Sequence, residues 1–189
     1  MTCIVLSRDD KNMYIAGDRR VASDSSYFKY PVAKVANKHG VLIGGAGRMS
    51  LMEEILYGCE FPKKLKSQSD AAYIRKTIYS TIFNYIKDLE DSLDSEDRDI
   101  TFLIGYAGVG FELDLDDKGV DFGMVELPYS IGSGAPYARG ALAALKQGNT
   151  TEQERLMTAL SAAASCDTGC SFDCDILIES INRRGHVES

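Results

Sequence analysis

Met1-Thr2-Cys3-Ile4-Val5-Leu6-Ser7 opens the chain, and Met13-Tyr14-Ile15-Ala16-Gly17-Asp18 follows after the polar run Arg8-Asp9-Asp10-Lys11-Asn12. Two short apolar, β-branched runs around a turn cluster read as a β-hairpin. The returning strand brings Asp18 back beside the chain start. A threonine directly after the initiator Met becomes the first residue once that Met is removed. It then carries a hydroxyl and a free amine, and the amine can act as general base for its own hydroxyl. An α-amino group titrates at about 7.7–8.0, so it needs little tuning to be neutral near physiological pH. A nearby cation pushes it further that way. Thr2 alone is a weak signal, and Asp18-Arg19-Arg20 alone reads as a solvated turn. The spacing adds weight, because Asp18 lies sixteen residues after Thr2 and Lys34 sixteen after Asp18.

Composition bounds the rest. A chain of 189 residues, 44% hydrophobic and 26% charged, is long enough to bury a sizeable core and is ordinary for a globular protein. The expectation is one domain, 1–189, with 182–189 a fraying tail. A net charge of −7 argues against nucleic-acid binding, which relies on lysine and arginine neutralising phosphates. No apolar run approaches the roughly 20 residues that span a bilayer, and there is no secretory signal pattern, so no membrane is expected and the cytoplasm is the default. The five cysteines are an odd number, which suits reduced thiols. Cys166, Cys170 and Cys174 are spaced by four, without the paired cysteines or histidines of zinc sites.

Along the chain, residues 19–31 read as polar and irregular. Residues 32–38 and 41–46 read as a second hairpin around His39-Gly40. Lys34 alternates there with apolar neighbours, a position where lysine ordinarily faces solvent. A helix is expected over 49–57 and a longer one over 70–93, where Ile74, Ile78, Ile82, Ile86, Leu89 and Leu93 form a stripe of helical period. Strands are expected at 100–107, 111–115 and 120–127, with a short one at 129–131 before Gly132-Ser133-Gly134. Pro136 suits a first helical turn, and that helix runs to about 146, with Arg139 pointing to solvent. Thr151-x-x-Glu154 is a capping-box pattern opening the next helix, and a last strand begins within the cysteine run. Two sheets that each need a covered face, with two helical layers, give an α+β, four-layer αββα sandwich.

In order, Met1-Thr2-Cys3-Ile4-Val5, Ala16-Gly17-Asp18, Ala33-Lys34-Val35, Gly44-Gly45-Ala46-Gly47 and Ile131-Gly132-Ser133-Gly134-Ala135-Pro136-Tyr137-Ala138 make a specific set. By these motifs the chain resembles the bacterial protease HslV and proteasome β subunits more broadly. The resemblance implies the N-terminal nucleophile hydrolase fold and a threonine-type endopeptidase with Thr2 as nucleophile. It implies Lys34 and Asp18 as the partners that tune Thr2, Gly44 as oxyanion donor, and Ser133 and Asp167 beside the amine. Val21, Val32 and Ala36 would line an apolar pocket, with Ala22 and Ala46 also along the substrate; Ala22 stands where the family often has Thr. Backbone carbonyls of Ala164, Asp167 and Cys170 would hold a sodium ion, and no cofactor is required for the chemistry. Cys170 replaces the expected Thr or Ser. The implied partners are copies of the chain in a homo-oligomeric ring, hexamer or heptamer, with stacking open, an unfolding ATPase, and a peptide or unfolded-protein substrate. A catalytically silent ring subunit and a small-molecule amidase are the alternatives on the same fold.

Overall fold

A computed structural model describes residues 1–23, 26–89, 99–116, 119–145 and 150–181, without the side chains of 22, 23 and 26–28. The first hairpin is β1 (Ile4–Arg8) and β2 (Asn12–Asp18), paired from Ile4 opposite Gly17 to Arg8 opposite Met13. The stretch expected to be irregular instead forms a separate hairpin, β3 (Arg20–Ser23) with β4 (Ser26–Lys29). Its polar residues hid the strand period, because neither strand belongs to the two sheets that enclose the core. The next hairpin is β5 (Val35–Lys38) and β6 (Val41–Gly47). β5 begins three residues later than expected, and Lys34 contributes only its carbonyl, which accepts the Gly45 N–H at 3.2 Å.

The first helical layer starts with α1 (Met49–Glu53), which loosens into a π-helical turn over Glu54–Gly58. α2 (Asp70–Ala72), a second π-helical turn (Tyr73–Ile78) and α3 (Tyr79–Leu89) carry the isoleucine stripe. Residues 90–93 of the expected helix lie outside the described residues. β7 (Ile100–Tyr106), β8 (Val109–Asp116) and β9 (Gly119–Val125) complete a five-stranded sheet in the order β5-β6-β7-β8-β9. β10 (Tyr129–Ile131), α4 (Ala135–Ala144), α5 (Glu152–Cys166) and β11 (Cys174–Ser180) follow, and the second sheet runs β10-β1-β2-β11. Thr151 caps α5 with the expected reciprocal box to Glu154. No helix among the described residues is long and apolar enough to cross a membrane.

Three apolar interfaces make the four layers. Met52, Ile55, Ile74, Ile78 and Ile82 pack on the five-stranded sheet at Ile43, Phe102 and Ile104. Ile4, Leu6 and Ile15 meet Val35, Leu42 and Leu103 between the sheets. Cys3, Val5 and Ala16 meet Leu142, Leu156 and Leu160 of α4 and α5. Successive side chains on a strand point to opposite faces. With Cys3 and Val5 turned to the helices and Ile4 and Leu6 to the middle, Thr2 falls on the inter-sheet side.

The sheets approach closely at Gly44, where an added Cβ would lie 2.7 Å from Ile4 Cγ2 and 3.0 Å from Val35 Cγ1. Gly44→Ala should therefore lower the unfolding free energy by about 1–3 kcal/mol through overpacking. Gly123→Ala on β9, where a Cβ meets nothing within 4 Å, should change it by less than about 0.5 kcal/mol. Denaturant midpoints of the two variants check both expectations.

Candidate active site

Thr2 sits at the mouth of β1 with 4% of its surface exposed. Lys34 is fully buried, against the ordinary habit of lysine, and its Nζ donates to Thr2 Oγ1 at 3.0 Å. The same ammonium donates to Asp18 Oδ1 (3.1 Å) and to the Arg20 carbonyl (2.5 Å). Asp18 is also fully buried and accepts the backbone N–H groups of Cys3 and Arg20, each at 2.9 Å. The hairpin makes this possible, since the Asp18 N–H bonds the Cys3 carbonyl at 3.2 Å. Burial pulls the Lys34 ammonium below the ordinary lysine value, and the Asp18 carboxylate opposes it.

A second polar chain begins at the Thr2 nitrogen, which donates to Ser133 Oγ at 3.2 Å. Ser133 in turn hydrogen-bonds the Asp167 carboxylate. Burial pushes that carboxyl up, but hydrogen bonds from Ser133, the Gly169 amide and Cys170 outweigh it and hold it below the usual range. The Cys170 thiol donates to Asp167 Oδ2 at 3.5 Å, and burial pushes its pKa up to about 12. Cysteine at this position therefore keeps a protonated side-chain donor. Ser133 arrives on a tight turn whose Gly132 has φ +89, and a Cβ there would lie 2.2 Å from the Thr2 carbonyl. The Met1 carbonyl accepts the Thr2 hydroxyl at 2.6 Å, and the Met1 side chain rests on Gly169.

The structure corrects the expectation for Gly44. Along an antiparallel strand with neighbours on both sides, successive N–H groups alternate between them. The Gly45 N–H points to the β5 side, so that of Gly44 points to β7, where its partner is Leu103. Its Cα is sealed by Ile4, Val35 and Ile15. Gly44 thus packs the sheets together and offers no donor to a substrate. By the same alternation the Gly47 N–H faces the β5 side, three residues past the point where β5 pairing ends at Val35–Gly44. Gly47 has φ +132, and Ala46 just before it touches the Gly132 turn beside Thr2.

Of the substrate-lining expectations, Ala46 is brought to Thr2, and Val21 and Val32 are half-buried on the segments flanking Arg20 and Lys34. Ala36 is turned onto the α1–α3 layer, where it borders a groove with Leu56, Tyr57 and Phe61. The side chain of Ala22 lies outside the described residues. Arg20 is a site residue that sequence reading missed. Its amide holds Asp18, its carbonyl holds Lys34, and its guanidinium donates to the Thr168 carbonyl at 2.7 Å, joining the two polar chains. The signal was its place two residues after Asp18. Among the described residues no group of three or more His, Cys, Asp or Glu side chains is placed to hold a metal ion.

Solved structures share this architecture. BPH of Thiobacillus denitrificans, solved in complex with epoxomicin, matches with a TM-score of 0.76 at 16% identity over 95% of this chain and 98% of that one. The fold is that of a proteasome-type N-terminal nucleophile hydrolase. HslV of Trypanosoma brucei matches with a TM-score of 0.65 at 20% identity, over 93% of this chain and 98% of that one. A Gly-1 mutant of Anbu from Hyphomicrobium sp. strain MC1 matches with a TM-score of 0.67 at 14% identity, over 96% and 82%. No protein-family model matches the chain, and no curated protein matches it significantly.

Removing one partner of a buried ion pair strands the other, typically at a cost of about 3–5 kcal/mol. Asp18→Ala should destabilise the chain by about that amount, and Asp18→Leu combined with Lys34→Met should recover most of it. In the folded chain Lys34 loses its proton at lower pH than in the unfolded chain, whose lysine titrates near 10.5. In that window the unfolded state binds more protons, so stability gains from Lys34 as pH rises towards 10.5. Unfolding curves against pH should show that gain in the wild type and its loss in Lys34→Met.

Proposed function

We propose that the chain is a threonine-type endopeptidase subunit of a ring-shaped, compartmentalised protease, with Thr2 as nucleophile after Met1 removal. One observation carries the reading. The hydroxyl and the nitrogen of the same residue each end a separate polar chain, Lys34–Asp18 on one side and Ser133–Asp167 on the other. The Thr2 hydroxyl attacks a peptide carbonyl, and the freed Thr2 amine takes its proton. The Lys34 charge, 3.0 Å from the oxygen, favours the alkoxide and keeps the amine neutral. We assign the oxyanion to the Gly47 N–H, a donor of a kind worth roughly 3–4 kcal/mol where it has been measured. Ser133, held by Asp167, orients the amine for its return of the proton to the leaving group.

The carbonyls of Ala164, Asp167 and Cys170 suit a sodium ion, which takes hard oxygen donors. Ala164 lies in the last turn of α5, where carbonyls have no helical partner. Asp167 spends one lone pair on the Cys170 N–H at 3.0 Å and keeps the other. Such an ion would stiffen the loop that bears Asp167. Peptides or unfolded proteins are the substrates we assign, delivered by an unfolding ATPase to a homo-oligomeric ring of six or seven copies, single or stacked, in the cytoplasm.

Intact mass before and after a peptide epoxyketone tests the reading, because that reagent engages a hydroxyl and an amine on one residue. The expected result is loss of one methionine and a single adduct that is absent in Thr2→Ala. Lys34→Ala should slow adduct formation by about 10²–10⁴-fold. Retained Met1 with no adduct would sink the proposal and leave a silent ring subunit; native mass of the same sample reads the number of copies.

A further inference from the structure

The turn that presents Ser133 has a support that the mechanism above does not use. Arg139 was expected to face solvent from α4. Although the residue is exposed, its guanidinium folds back on β10, donating from Nη2 to the Ser130 carbonyl at 2.7 Å and from Nε to Ser130 Oγ at 3.2 Å. Ser130 is fully buried, and its hydroxyl donates onward to the Ala135 carbonyl at 3.1 Å. The guanidinium also lies over the Tyr129 ring, 4.6 Å from its centroid. The Tyr129 hydroxyl bonds Glu112 Oε2 of β8 at 3.1 Å. β10 is only three residues long and among the described residues pairs with β1 alone, so its other edge has no ladder there.

We propose that Arg139 is a positioning residue that sets the Ser133 turn against Thr2, an inference that rests on the peptidase reading. A guanidinium has only donors, so the Ser130 hydroxyl must accept from Nε and is left to donate to Ala135. That bond closes the 130–135 turn from outside. The Ala135 N–H to Gly132 carbonyl (3.1 Å) and the Gly134 N–H to Thr2 carbonyl (3.2 Å) close it from inside. The stacked Tyr129, tied to Glu112, anchors the same strand to the opposite sheet. One side chain on α4 thereby couples a helical layer and both sheets at Ser130, two residues before Gly132. Ser133 depends on this coupling for its 3.2 Å contact with the Thr2 nitrogen.

Two readouts on the assembled, Met1-free protein test it. Amide hydrogen exchange at Gly134 and Ala135 should quicken at least tenfold in Arg139→Ala, with β7 amides unchanged. Epoxyketone adduct formation at saturation should slow by a similar factor while the half-saturating concentration stays put. Arg139→Lys, which keeps one donor for the Ser130 carbonyl, should recover part of both, and Tyr129→Phe should show a smaller change in the same direction. Should Arg139→Ala fail to fold, these two variants decide. Wild-type exchange and adduct rates in the variants would overturn the proposal. So would a raised half-saturating concentration with an unchanged saturated rate, which would make Arg139 a reagent contact. If the wild type forms no adduct, the peptidase reading fails, and exchange alone decides whether Arg139 holds the turn.

Discussion

A lysine ammonium buried against a carboxylate is the constraint around which this molecule is arranged. Lys34 and Asp18 are both fully buried, and desolvating such a pair costs more than a bare contact returns unless further hydrogen bonds complete it. Those bonds are present: Asp18 accepts two backbone amides, and Lys34 adds the Arg20 carbonyl and the Thr2 hydroxyl. They come from two pieces of chain, Thr2-Cys3 leading into β1 and Arg20 after β2, so the pair is satisfied only when β1, β2 and the approach to β5 are in register together. Such a pair adds little net stability over a well-packed apolar replacement, but stranding either partner is costly. It places a positive charge on a hydroxyl oxygen inside a low-dielectric cleft, where charge acts most strongly.

The sandwich supplies the rest by parity and closure. The alternation of side chains along β1 sends Thr2 towards the inter-sheet cleft because Ile4 and Leu6 must fill the middle of the core. The glycines at 44 and 132 let backbone approach where any side chain would collide, with Ile4 in one case and Thr2 in the other. Gly47 carries a donor past the end of a ladder. The loop after α5 brings Asp167 to Ser133, and the cap and packing of that helix fix where the loop starts. The site is thus the meeting point of the ends of β1, β2, β5, β6 and β10 and the exit of α5.

The sequence alone carried the architecture wherever a period was clean. The first hairpin, the isoleucine stripe of the 70–89 helical run and the α5 capping box were all legible, because each is a local pattern. The identities of Thr2, Asp18, Lys34 and Ser133 were legible in an ordered set of motifs, Asp167 only through the resemblance those motifs carry, and the structure gathers them around one threonine. Hairpin β3–β4 was not legible, since a strand outside the core sheets has no apolar alternation to betray it. The Gly44 expectation failed for a different reason. Composition says that a glycine permits close approach, but only the ladder register says which amide is spent and which is left over. Arg20 and Arg139 were read as solvated because charge in a sequence points outward by default. Among their partners are the Thr168 and Ser130 carbonyls, backbone atoms that no sequence pattern marks. What the sequence determined was which groups exist and which element bears each one. What only the tertiary structure decided was which backbone donors and acceptors remain unpaired near them, because that depends on how strands end against one another.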